Sequence, residues 1–214
     1  MVERASCARR AFDPTEKAVD HAPRKAPLTA PVSADFSVRE GRDAYLAENG
    51  FRAEDYDAPR TPASLLGVSF SVPNTPAHRR AIMQHDLHHV ATGFGTDPVG
   101  EGEISIWEAR NGLGPLDAYV RSLVVLGSLA GVALAPRRLL RAFRAARGAD
   151  TLFGCVNEDY ESLLRMSVGD LRAKLGIPRE GLARQPRRLH STAPREAESG
   201  SVDEPVGSGD GAAL

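Results

Sequence analysis

The chain has 214 residues, a length typical of one domain. Its 27 Lys and Arg residues nearly balance 28 Asp and Glu residues, and the formal net charge of -1 argues against a dedicated nucleic-acid-binding protein. Two cysteines are too few for a disulfide framework or a cysteine-based zinc module. No apolar run reaches the roughly 18 residues of a membrane-spanning helix, and the N-terminus has no apolar segment typical of a secretory signal.

Both ends of the sequence differ in composition from the middle. Residues 1–35 contain four prolines among alanines and scattered charges, and the last 31 residues are rich in Pro, Ser, Gly and Glu. Such segments bury too little apolar surface to offset the entropy lost on ordering, so we predict disordered tails at 1–35 and 184–214. The remaining block, 36–183, is predicted to be a compact, single-domain, all-α helical bundle.

Helix start signals divide this block into elements. Ser37 can cap a first helix that ends near Gly50, and the alternating run V-S-F-S-V predicts a short extended piece within 63–73. Thr75-Pro76 and Asp97-Pro98 each place a capping residue before a proline, as at helix N-termini. The predicted later helices are, in chain order, 76–92, 98–111, 115–135, one from Pro136 onward, 150–165 and 168–175, the last capped by Ser167.

The histidines are concentrated in one predicted helix. Four of the six lie between positions 78 and 89. At about 100° per residue, His89 lies about 40° and Asp86 about 100° from His85, so these three metal-type ligands share roughly a quarter turn. His88 and His78 fall outside this set, and we predict structural or supporting roles for them.

A carboxylate follows one short loop later. The glycine-rich loop 93–97 predicts a tight reversal, which places Glu101 in the first turn of the next helix, opposite His85 and His89. Two imidazoles at i, i+4 with carboxylate oxygens form a mixed site for a divalent metal such as zinc, with open positions as in catalytic sites. Glu108 lies on the same helical face as Glu101, and we expect it to be solvated or salt-bridged.

These residues also match a family signature. The order His85-Asp86, two residues, His89, eleven residues, Glu101 resembles the signature of the coenzyme Q (ubiquinone) biosynthesis protein 4 homologue family. The segment NEDYESLLRMSVGDLRAKLGIP, residues 157–178, is similar to the pattern that closes the family's domain.

The resemblance implies an all-α homodimer bound peripherally to membrane, with a divalent metal ion, described as zinc, on His85, Asp86, His89 and Glu101, which act in catalysis through it. It implies a role in ubiquinone synthesis, described as oxidative decarboxylation of a prenylated ring at C1 or as a non-enzymatic scaffold. The expected partners are a prenylated quinone precursor, other enzymes of the pathway and the membrane surface, and not nucleic acid. The composition of the chain is rich in alanine and arginine, as in many bacterial proteins. The expected location is therefore cytoplasmic, at the inner face of the cytoplasmic membrane.

The sequence also contains an apolar segment followed by a basic one. Residues 122–135 carry no charge, and arginines follow at positions 137, 138, 141, 144 and 147. This order is typical of a membrane-surface protein. A core helix followed by a solvated helix has the same pattern, so both interpretations stay open. Gly127 and Gly131 form a G-x-x-x-G pattern that allows close helix packing.

A metal-dependent hydrolase is the alternative enzyme class. The H-x-x-x-H spacing also occurs in zinc peptidases, but Asp86 stands where their glutamate base is usual. A His-Asp pair also occurs in HD-type phosphohydrolases, which need an upstream histidine and a distant aspartate. In this chain only His78 and Asp117 could take these positions, and their spacing does not fit that class.

Overall fold

The computed structural model describes residues 31–65, 68–155 and 158–183, which form a mostly helical domain with one small β-hairpin. The predicted all-α fold is confirmed. The helices are α1 (Val38–Glu48), α2 (Pro76–Thr92), α3 (Pro98–Asn111), α4 (Ala118–Leu134), α5 (Pro136–Ala145), α6 (Tyr160–Arg165) and α7 (Val168–Lys174). Short 3₁₀ turns span Ala53–Asp57 and Leu152–Gly154, and the strands are β1 (Arg60–Leu65) and β2 (Val68–Pro73).

The helix starts follow the capping signals of the sequence. Ser37 and Glu40 form a reciprocal capping box at α1, in which each side chain accepts the other's backbone N–H. Thr75, Asp97 and Ser167 each accept backbone N–H groups from the first turn of their helices. These bonds satisfy donors that a helix leaves without an internal partner, which explains why local sequence predicted α1, α2, α3 and α7.

Two predicted helices need correction. The helix predicted over 150–165 is confirmed only in its last part, as α6. Residues 152–154 form a 3₁₀ turn instead, and α6 begins after Asp159, whose side chain accepts the backbone N–H of Ser162. Helix α4 begins at Ala118 rather than at Pro115, because Asp117 is its N-cap. The extended piece predicted within 63–73 is strand β2, which pairs antiparallel with β1.

The main core is built from apolar side chains of α2 and of the helices packed around it. Its members include Leu87, Val90, Ile104, Trp107 and Leu171, each 1% exposed or less. Val32 is 5% exposed and packs in the same core, so residues 31–35, assigned to the N-terminal tail by the sequence, lie against the domain. The rest of the two predicted disordered tails lies outside the described residues.

Helices α3 and α4 cross at glycines. A Cβ atom added at Gly102 would lie 2.6 Å from the Cα of Gly131, and one at Gly127 would lie 2.6 Å from Ser105 Oγ. The backbones therefore approach more closely than any larger residue would permit. The opposite side of α4 is exposed, and no helix among the described residues is long and apolar enough to cross a bilayer.

Candidate metal centre

The predicted reversal between α2 and α3 is present. Gly93 ends α2 with a φ of 78°, a left-handed conformation that glycine adopts without strain. Asp97 then caps α3, so the last turns of α2 lie beside the first turn of α3. As predicted, this places Glu101 opposite His85 and His89.

Three side chains converge at this point. His85 Nε2 lies 3.1 Å from His89 Nε2 and 3.4 Å from Glu101 Oε2, and His89 Nε2 lies 3.6 Å from Glu101 Oε1. A tetrahedral ion with bonds of about 2.0–2.1 Å separates its ligand atoms by about 3.4 Å. The three side chains form a group that could hold a metal ion, with spacing close to that of a tetrahedral site.

The tautomers of both histidines suit a metal. His89 Nδ1 lies 2.9 Å from the carbonyl oxygen of Phe94, and His85 Nδ1 lies 2.8 Å from Glu108 Oε1. Both of these partners are acceptors, so each neutral ring carries its proton on Nδ1. The two Nε2 lone pairs therefore face each other beside the Glu101 carboxylate, an arrangement that needs a positive charge between them.

Packing and charge hold the site in place. The ring of Tyr45 stacks on His89 at 5.3 Å between centroids and an interplanar angle of 22°. Burial alone would lower the pKa of His85, but the charges of Glu108 and Glu101 raise it well above 6.5. Burial would raise the pKa of Glu101, but the two histidines lower it far below its usual value. The site thus attracts a cation.

The fourth predicted ligand, Asp86, lies outside the group of three. It is 7% exposed, and its Oδ2 accepts a hydrogen bond from Tyr56 Oη at 2.5 Å. Burial raises the pKa of Asp86, although His85 opposes this shift. The hydrogen bond from Tyr56 holds the carboxylate in this position. Its role as a ligand stays a prediction.

Glu108 is buried and ion-paired, so of the two roles predicted for it, solvated or salt-bridged, the second is confirmed. Glu108 is 0% exposed, which excludes the solvated position considered for it, and its Oε1 lies 2.8 Å from His85 Nδ1 and 2.7 Å from His88 Nδ1. Burial would raise the pKa of Glu108, but His85 lowers it to about 2. The seven-residue spacing from Glu101 was the available signal, because it places both carboxylates on one face of α3.

His88 and His78 are both buried outside the group of three. His88 contacts Glu108, and its Nε2 accepts the backbone N–H of Leu152 at 2.9 Å. His78 is 5% exposed and packs against the ring of Tyr119.

A cavity of about 950 Å³ adjoins the group. His85, Glu101 and Asp86 line it, as do Leu123 and Ala130 of α4. The cavity therefore joins a polar region with potential metal ligands to an apolar helix wall, and its volume is that of a site for a small organic ligand.

No protein-family model, no curated protein and no solved structure matches this chain.

Proposed function

We propose that the chain binds one divalent metal ion, zinc, through His85, His89 and Glu101, with Asp86 as a fourth ligand. The observation that carries this proposal is the convergence of two Nε2 lone pairs and one carboxylate within 3.1–3.6 Å. When bound, the ion would supply Lewis acidity toward oxygen atoms of a ligand. Tyr56 would hold Asp86, and Phe94 would hold His89, through the hydrogen bonds described above.

We further propose that the ligand is a prenylated aromatic acid of ubiquinone synthesis and that the protein acts in oxidative decarboxylation of its ring at C1. In this reaction the carboxyl group leaves as carbon dioxide and one oxygen atom of dioxygen takes its place on C1, while an external two-electron donor reduces the other oxygen atom to water. Two observations support this: the His85-Asp86-His89-Glu101 signature, and a cavity that joins this signature to an apolar wall on α4. The ring oxygens would lie at the polar end, and the prenyl chain would lie along Leu123 and its neighbours. A non-enzymatic scaffold for the same lipids is the second candidate.

The outer face of α4 supports a proposed location at the inner surface of the cytoplasmic membrane. Val125, Leu129 and Val132 are 46–61% exposed, and exposed arginines of α5 follow them. Exposed apolar side chains next to cations are typical of proteins that bind anionic lipid surfaces. Homodimerisation and contact with other enzymes of the pathway belong to the same proposal.

Elemental analysis and lipid mass spectrometry on protein purified from its host test this function. We expect zinc together with a co-purified prenylated aromatic compound. Incubation with a prenylated hydroxybenzoate carrying a ¹³C-labelled carboxyl group, in the presence of dioxygen and a two-electron donor, then distinguishes the two candidates. Release of labelled carbon dioxide indicates an enzyme, and tight binding without release indicates a scaffold. Hydrolysis of peptides or nucleotides with no lipid binding would contradict both.

A further inference from the structure

A chain of hydrogen bonds leads from the backbone after α5 to the metal centre. The backbone N–H of Leu152 donates to His88 Nε2 at 2.9 Å. Because Nε2 accepts this bond, a neutral His88 carries its proton on Nδ1. That proton points at Glu108 Oε1, 2.7 Å away.

The same oxygen then determines the state of His85. Glu108 Oε1 also lies 2.8 Å from His85 Nδ1, and a carboxylate can only accept there. A neutral His85 ring is therefore held with its proton on Nδ1 and its Nε2 lone pair directed at His89 and Glu101. The other oxygen, Glu108 Oε2, is buried and has no hydrogen-bond partner among the described residues, so the bonds of this carboxylate go to the two histidines.

We propose that Glu108 and His88 are positioning residues of the metal centre, which fix the tautomer and the ring orientation of His85. Neither belongs to the four-residue signature. Without the Glu108 carboxylate, His85 can carry its proton on Nε2 and rotate away from the site. Because His88 is tied to the backbone of Leu152, the position of the turn after α5 is coupled to the metal ligand.

Charge favours the same roles. Glu108 and His88 are 0% exposed, so water cannot compensate the carboxylate. A cation bound at His85 Nε2 would lie across one imidazole ring from Glu108, as in carboxylate–histidine–metal arrangements, where the carboxylate increases the basicity of the ligand.

This inference rests on the proposed metal site, and the test keeps the two apart. Three full-length proteins are compared: the wild type, Glu108→Gln and Glu103→Gln. Each is titrated with Co²⁺, whose binding is followed by visible absorption, and the affinity for Zn²⁺ is then measured by its competition with bound Co²⁺. Glu103 is the matched control, because it is a buried glutamate of α3 that pairs with Arg138 at 2.6 Å. Both variants lose one carboxylate charge from the same helix.

We expect Glu108→Gln to weaken metal binding about 10- to 100-fold and to change the Co²⁺ spectrum, whereas Glu103→Gln stays within about twofold of the wild type. Equal affinity and an unchanged spectrum in Glu108→Gln would overturn the positioning role while leaving the metal site intact. A wild type that binds neither metal would overturn the proposed site, and this inference with it.

Nitrogen NMR of the zinc-loaded wild type provides a second test that does not depend on a variant's folding. We expect His85 to bind zinc through Nε2 with its proton on Nδ1, and His88 to carry its proton on Nδ1 without binding metal. A zinc ion on His85 Nδ1, or a proton on His88 Nε2, would overturn the inference.

Discussion

The Nε2 atoms of His85 and His89 lie 3.1 Å apart while the Nδ1 atom of each ring faces an acceptor elsewhere. Two lone pairs at this distance repel each other unless a positive charge stands between them. In the metal-free protein a proton on His85 provides this charge, and the raised pKa of that ring agrees with such a proton. A bound metal ion would replace the proton.

This exchange predicts how the stability of the metal-free protein depends on pH. The His85 pKa is raised above 6.5, so its stabilisation is complete below that value and is lost as pH rises through the folded-state pKa. The Glu108 pKa is lowered from 4.5 to about 2, so its stabilisation is present above 4.5 and is lost as pH falls toward 2. The metal-free protein should therefore be most stable between these two windows.

Calorimetry across this pH range, with and without zinc, checks the prediction. The melting temperature of the metal-free protein should fall on the alkaline side, and zinc should remove that fall because the ion replaces the proton. The variant Glu108→Gln should show a weaker dependence on both sides. A metal-free melting temperature that stays flat from about pH 5 to about pH 9 would contradict the assignment of charge to His85.

Close packing of α3 on α4 predicts a strong effect of one methyl group. In Gly102→Ala, the new Cβ would meet the Gly131 Cα at 2.6 Å, and backbone atoms cannot move aside cheaply. Overpacking of this kind costs about 1–3 kcal/mol. Gly95→Ala is the control, since its Cβ would meet only the Asp97 side chain at 3.4 Å. Urea denaturation should show the loss in Gly102→Ala alone, and equal stabilities would indicate that the helices can separate freely.

The basic face of α5 predicts salt-dependent binding to anionic vesicles. Helix α5 carries four arginines that could bind lipid headgroups. Arg138 forms two hydrogen bonds with Glu103, so we assign the attraction to Arg137, Arg141 and Arg144, which are exposed. At about 1 kcal/mol each, the three contribute about 3 kcal/mol, or roughly a hundredfold in affinity.

Co-sedimentation with phosphatidylserine vesicles measures this contribution. Replacing all three arginines by glutamine should release the protein, as should high salt, while zinc content stays unchanged. A control variant with Arg39, Arg165 and Arg179 changed to glutamine loses the same charge from other exposed positions. Equal binding by both triple variants would assign the attraction to net charge, and failure of the wild type to bind at low salt would make α5 a solvated face.

The parts of the site that the sequence predicted depend on short-range geometry. His85 and His89 share a face because they are four residues apart, and the short loop 93–97 places Glu101 beside them. The direction of Asp86 depends instead on Tyr56, which comes from a turn thirty residues earlier. No periodicity within α2 carries that information.

The same distinction explains the fold. A capping residue such as Ser37 bonds to a backbone N–H only three residues later, so the local sequence is enough to predict it. The helix predicted from residue 150 begins only at Tyr160 because tertiary contacts hold the segment before it. The Leu152 N–H donates to His88, 64 residues earlier, and Asp159 then caps α6. The ion-paired role of Glu108 was predicted, but its burial was not, since that depends on α2 and not on α3 alone.

The zinc content of purified protein shows whether His85 and His89 bind a metal ion. The measurement compares the wild type, the double variant His85→Ala/His89→Ala and the control His78→Ala, which removes a buried imidazole of the same helix that lies outside the group of three. Circular dichroism verifies that each is helical. We expect one zinc ion per chain in the wild type and in the control, and none in the double variant. A double variant that keeps its zinc, or a folded wild type that takes up none, would contradict the proposed metal site.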